Sequence, residues 1–151
     1  MPGQNSAASG ASSAMEIEEP AAAIVKYSKL AASTKQQITK RLDRFRELMV
    51  YFDKENQDNS VFKWEAASAV VDCWKSLQQK ERTLEDLTEK LSDFYQLDCN
   101  NTIEAKKAAD AQQEDCYKAL TTYRGSIKKA QEETDTLLKT AMKVVASHTD
   151  A

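Results

Sequence analysis

Apolar residues along the chain recur at helical intervals. From residue 21 onward Ile24, Tyr27, Ala31, Ile38, Leu42, Phe45, Leu48, Met49 and Phe52 lie three, four or seven apart. That spacing puts them on one face of a helix running from about residue 20 to 54. The stretch 53–60, DKENQDNS, has no apolar residue and is rich in turn formers. It reads as a connection, with Asp58, Asn59 or Ser60 capping the next helix.

A second helix is expected over about 61–97. Val70, Leu77, Leu84 and Leu91 are seven apart, and Ala66, Cys73, Leu87 and Phe94 fill the interleaved position, broken only by Lys80. Such a seam is the heptad signature of helices packed side by side. Residues 98–102, DCNNT, end it, and Asn101 followed by Glu104 resembles a capping box. A third helix follows over about 102–148. Ala109, Cys116, Tyr123, Ala130, Leu137 and Val144 form one row; Gln113, Leu120, Ile127, Thr134 and Ala141 form the other. Gly125 interrupts this helix and suggests either a kink or the close approach of a neighbouring backbone.

Three long helices joined by short connections predict an all-α fold, an elongated up-down-up antiparallel three-helix bundle or coiled coil. Residues 1–15 carry Ala, Ser, Gly, Asn, Gln, two Met and one Pro with no charge. With nothing to bury, residues 1–19 read as a disordered tail ahead of a bundle spanning 20–148. Glu16, Glu18 and Glu19 before Pro20 suit a helix start.

Composition sharpens this picture by exclusion. The 151 residues contain three Gly and two Pro, against roughly ten and seven in an average chain of this length. From Ala21 onward there is no Pro, and Gly125 is the sole Gly. Folds that depend on many tight turns are hard to build from that stock. The net charge of −3 gives no general attraction to nucleic acid. No run of 18 apolar residues suggests a membrane span, and the N-terminus lacks the basic start and apolar run of a signal peptide. A cytoplasmic location, with the nucleus as the alternative, is therefore expected, with reduced thiols. In that setting the sequon at Asn100 is not expected to carry a glycan.

The residues that carry chemistry are few. The single His, His148, falls in the last helical turn, a poor place to hold a catalytic base. No phosphate-binding loop, HExxH, CxxC or EF-hand motif is present. Folding the third helix back about Cys99 leaves Cys73 and Cys116 offset by roughly 13 Å along the bundle, too far apart to share a metal. No cofactor, metal or small-molecule substrate is expected, and no enzyme.

What remains is binding. A non-enzymatic helical interaction protein, a coiled-coil subunit or scaffold of a cytoplasmic complex, is the leading expectation, with other helical proteins or a second copy as partners. The polar seam residues Lys80, Gln113 and Thr134 suggest a core that one chain closes imperfectly. With the hairpin folded about Cys99, the third helix draws level with the first connection near Lys139. Residues beyond it would then project past the bundle. Leu138, Met142, Val144 and Val145, with Trp64 at the same end, are the expected partner interface. The alternative is an anionic membrane surface, contacted by Lys26, Lys29, Lys35, Lys40, Arg41, Arg44 and Arg46 on the first helix. Glu81, Glu85 and Glu89, four apart, form an acidic strip on the second helix.

Overall fold

The computed structural model describes residues 20–96 and 103–150. The tail expected over 1–19, the second connection with Cys99, and the Asn101 capping box lie outside the described residues. Three helices follow one another: α1 over Pro20–Gln57, α2 over Lys63–Gln96 and α3 over Ile103–Asp150. At 1.5 Å per residue their 38, 34 and 48 residues correspond to roughly 57, 51 and 72 Å. No described helix is long and apolar enough to cross a membrane.

Inter-helix pairs give the topology. Tyr27 of α1 meets Lys90 of α2, while Phe45 meets Trp74, so α1 and α2 run antiparallel. Glu81 of α2 meets Arg124 of α3 and Trp64 meets His148, so α2 and α3 are antiparallel too. Lys35 with Asp115 and Thr39 with Tyr123 bring α1 and α3 together in parallel. This is the up-down-up bundle.

The core is the set of heptad positions. Ile38, Phe45 and Phe52 from α1, Val70, Leu77, Leu84 and Leu91 from α2, and Cys116 from α3 are among its most deeply buried side chains. The stripe on α2 is wider than two rows, because Ala67, Val71, Trp74 and Thr88 are buried beside it. Thr88 satisfies its hydroxyl by donating to the Leu84 carbonyl at 2.8 Å, and Thr134 does the same to Ala130 at 2.7 Å. The polar seam positions Lys80, Gln113 and Thr134 are half-buried at the rim. They border a continuous apolar cluster built from all three helices. A single chain therefore closes its own core.

The first connection is tighter than the run of polar residues suggests. Helix α1 extends three residues beyond the expected end, with Gln57 Nε2 donating to Asp53 at 3.0 Å. Asn59 then adopts a left-handed conformation, φ 50°. The Ser60 N–H reaches back to the Glu55 carbonyl at 3.0 Å, and the Asn59 N–H to Asn56 at 3.2 Å. That paired pattern is a Schellman stop, with Asn in the place Gly usually fills. Ser60 also starts α2: its Oγ accepts the Phe62 N–H at 3.0 Å, the N-cap bond. One residue thus ends one helix and begins the next.

Two expectations are corrected. Helix α3 does not project beyond the bundle from Lys139. Leu138 and Ala141 are buried, and Val144 and Val145 pack against the core. Trp64 pairs with His148 and Glu81 with Arg124, so α3 is displaced along α2 from the register that folding about Cys99 gives. Side chains lean toward the N-terminus of their own helix. In an antiparallel pair this makes each α2 side chain meet a residue further along α3. Gly125, in turn, admits no close neighbour: a Cβ there would meet nothing within 4 Å.

Candidate interaction surface

The five residues expected at a partner interface have different surroundings. Leu138 belongs to the core. Val144 and Val145 are half-buried against it. Met142 is outward-facing and 40% exposed. The Trp64 ring lies 4.2 Å from the His148 ring, tilted by 34°. Its Nε1–H is buried without a hydrogen-bond partner among the described residues, which costs about 1–3 kcal/mol where the group cannot reach an acceptor.

The most exposed apolar side chains lie elsewhere. Val61 is 89% exposed and Phe62 51%, both in the first turn after the Ser60 cap. Val50, near the end of α1, is 73% exposed. Composition gives no sign of this. Val61 and Phe62 resemble the opening of a core run, and only the cap geometry shows that they precede the first inward position, Ala66. Tyr117 on α3 is also exposed.

The seven basic residues of α1 do not form one face. Lys35 is turned toward α3, where its Nζ pairs with Asp115 at 2.6 Å. The hydrogen bond to that carboxylate pushes the Lys35 pKa above its ordinary 10.5 against the opposing effect of burial. Arg41 is turned toward α2: its Nε donates to Ser76 Oγ at 2.5 Å. Arg44 pairs with Glu47, one turn along, at 3.3 Å. Lys26 stands 5.8 Å from the ring centroid of Tyr27. Lys29, Lys40 and Arg46 are exposed and make no ion pair with any described residue.

On the acidic strip of α2, Arg124 of α3 forks across Glu81, at 3.1 Å, and Glu85. Hydrogen bonds to the Glu85 and Glu81 carboxylates raise the Arg124 pKa further above its ordinary value. Part of the strip is thus neutralised within the molecule. Glu89 is exposed and has no ion-pair partner among the described residues.

The two described thiols are held as packing groups. Cys116 is buried, and Cys73 donates to the Arg41 carbonyl at 3.4 Å. Burial raises the pKa of both thiols above 9.0. Among the described residues no cluster of three or more His, Cys, Asp or Glu side chains is arranged to hold a metal.

Between α1 and α3 runs an open groove of about 480 Å³, lined by Ala32, Lys35, Gln36, Thr39, Lys40 and Tyr123. The α1–α3 interface is the least extensive of the three. Lys35 pairs with Asp115 across it, and Thr39 Oγ1 meets the Tyr123 hydroxyl at 3.2 Å.

Comparison with known proteins adds no relative: no protein-family model, no curated protein and no solved structure matches the chain.

Proposed function

We propose that this protein is a non-enzymatic helical interaction protein, a coiled-coil subunit or scaffold of a cytoplasmic complex. The observation that carries this reading is apolar surface held outward from a core that is already closed. Val61 and Phe62 are fixed in place by the Ser60 cap. Burying them inside the bundle would require undoing the Schellman stop, so a partner is the simpler means of covering them. A rod of three long helices also offers lengthwise faces on which other helices can lie.

The test is affinity capture of the full chain from its source cells under reducing conditions, with mass spectrometry of the co-eluting proteins. A stable stoichiometric set supports the reading, and a chain that elutes alone contradicts it. Capture should weaken for Val61→Asp combined with Phe62→Asp.

A second reading, binding to an anionic membrane surface, draws on the unpaired Lys29 and Lys40. It requires co-sedimentation with anionic but not neutral vesicles, lost at high salt.

A further inference from the structure

We infer that the groove between α1 and α3 receives an acidic amphipathic helix of a partner protein, laid lengthwise as a fourth helix. The inference rests on the proposed interaction role and names the surface and the partner's chemistry.

Helix α1 carries one buried heptad seam and, beside it, an exposed stripe of small, polar and charged residues with a valine at each end. The buried one contains Ala31, Ile38, Phe45 and Phe52. One residue further round, Val25, Ala32, Thr39 and Arg46 repeat every seven, and all four are exposed. Lys29, Gln36, Asp43 and Val50 fill the interleaved position, also exposed. An exposed stripe beside a groove between two parallel helices leaves room for a further helix to lie lengthwise. The rows border the α1–α3 groove, since Ala32, Gln36 and Thr39 line it. From Val25 to Val50 they extend over roughly 38 Å, long enough for a helix of about seven turns.

The side chains select the kind of helix. At the ends Val25 and Val50 offer apolar contact. Between them Ala32 and Thr39 are small and permit close approach. Lys29 and Arg46 lie in the rows and Lys40 beside them. These three cations have no ion-pair partner among the described residues, against the one carboxylate of Asp43 on the same rows. Lys35 is already neutralised by Asp115. A complementary helix therefore carries carboxylates toward both ends, roughly 26 Å apart to match Lys29 and Arg46, with small or apolar residues between. Such pairing sets orientation and register more than affinity.

The test places the photo-cross-linker p-benzoylphenylalanine at Gln36 in the full chain. The protein is irradiated in source-cell lysate under reducing conditions, and the cross-linked segment is sequenced. The expected product is one predominant segment with heptad-spaced small or apolar residues flanked by Asp or Glu. Its yield should fall roughly tenfold in the combined variant Lys29→Glu, Lys40→Glu, Arg46→Glu. The neutral variant Lys29→Gln, Lys40→Gln, Arg46→Gln should give a smaller loss. Unchanged melting curves would show that both variants fold. A basic or non-helical segment, or a yield indifferent to charge reversal, overturns the inference. So does salt-sensitive binding to phosphatidylserine vesicles that the reversal abolishes while no protein is cross-linked. If affinity capture still returns a stoichiometric set in those cases, the interaction role stands and the groove alone is wrong. If neither method captures anything, both fail.

Discussion

The rings of Trp64 and His148 meet at 4.2 Å, so the start of α2 and the end of α3 finish together at one end of the bundle. Leu138, Ala141, Val144 and Val145 therefore contribute to the core instead of forming an overhang. Truncation after Lys139 should lower the melting temperature clearly. Leu138→Ala should cost about 2–5 kcal/mol. Met142→Ala, on the exposed side of the same turns, should cost well under that. Chemical denaturation monitored by circular dichroism checks the ranking. Equal effects would show that the last three turns of α3 are not packed.

A second contrast lies in the middle of the bundle. Leu84 is fully buried, and its truncation to Ala should cost roughly 2–5 kcal/mol. Its neighbour Glu85 is part of the Arg124 fork, whose side chains are about two-fifths exposed. Glu85→Ala should cost no more than about 1 kcal/mol, the range of exposed ion pairs, and less at high salt. A double-mutant cycle with Arg124→Ala isolates the pair's contribution. A coupling that is unaffected by salt would contradict this account.

Backbone chemistry gives two substitutions of opposite sign. Asn59 is left-handed, so Asn59→Val should destabilise by about 1–2 kcal/mol. Gly125 is helical, exposed and has open space around its Cα, so Gly125→Ala should stabilise by up to about 1 kcal/mol. Thermal melts of the two variants on either side of the wild type would bear this out.

Much of the fold was legible because heptad periodicity determines it. Val70, Leu77, Leu84 and Leu91 are buried where their spacing puts them. The relative level of the helices was not legible. It depends on the lean of side chains and on where the second hairpin turns, and no local pattern records either. That is why Leu138, Val144 and Val145 read as a projecting surface in the sequence, although Leu138 is core and the two valines pack against it. The surface was harder still. Seven basic residues on α1 look like one patch in sequence, yet Lys35 and Arg41 turn toward neighbouring helices. The two-sided role of Ser60 is readable only as a cap, because its backbone bond to Glu55 depends on the positive φ of Asn59.

Burial pushes the Cys73 and Cys116 thiols above their usual pKa. In a group that loses a proton, such a shift favours the folded state below the unfolded pKa's range. That contribution is lost as pH rises from the unfolded to the folded value, and the loss levels off once both states are ionised and the folded chain holds buried thiolates. The protein should therefore lose stability from about pH 9 upward as those thiols ionise. At neutral pH both thiols should react with iodoacetamide more slowly than a free thiol, as read by mass spectrometry of timed aliquots. Rapid labelling of Cys116 in the native protein would contradict its place in the core.

The most direct test of the account is the dependence of unfolding on concentration. A core closed by one chain, with its unused apolar groups on the outside, predicts a single cooperative transition. Its midpoint should stay constant over a roughly hundredfold range of chain concentration. A midpoint that climbs with concentration would show that a second copy completes the core, and the closed three-helix bundle described here would not be the folding unit.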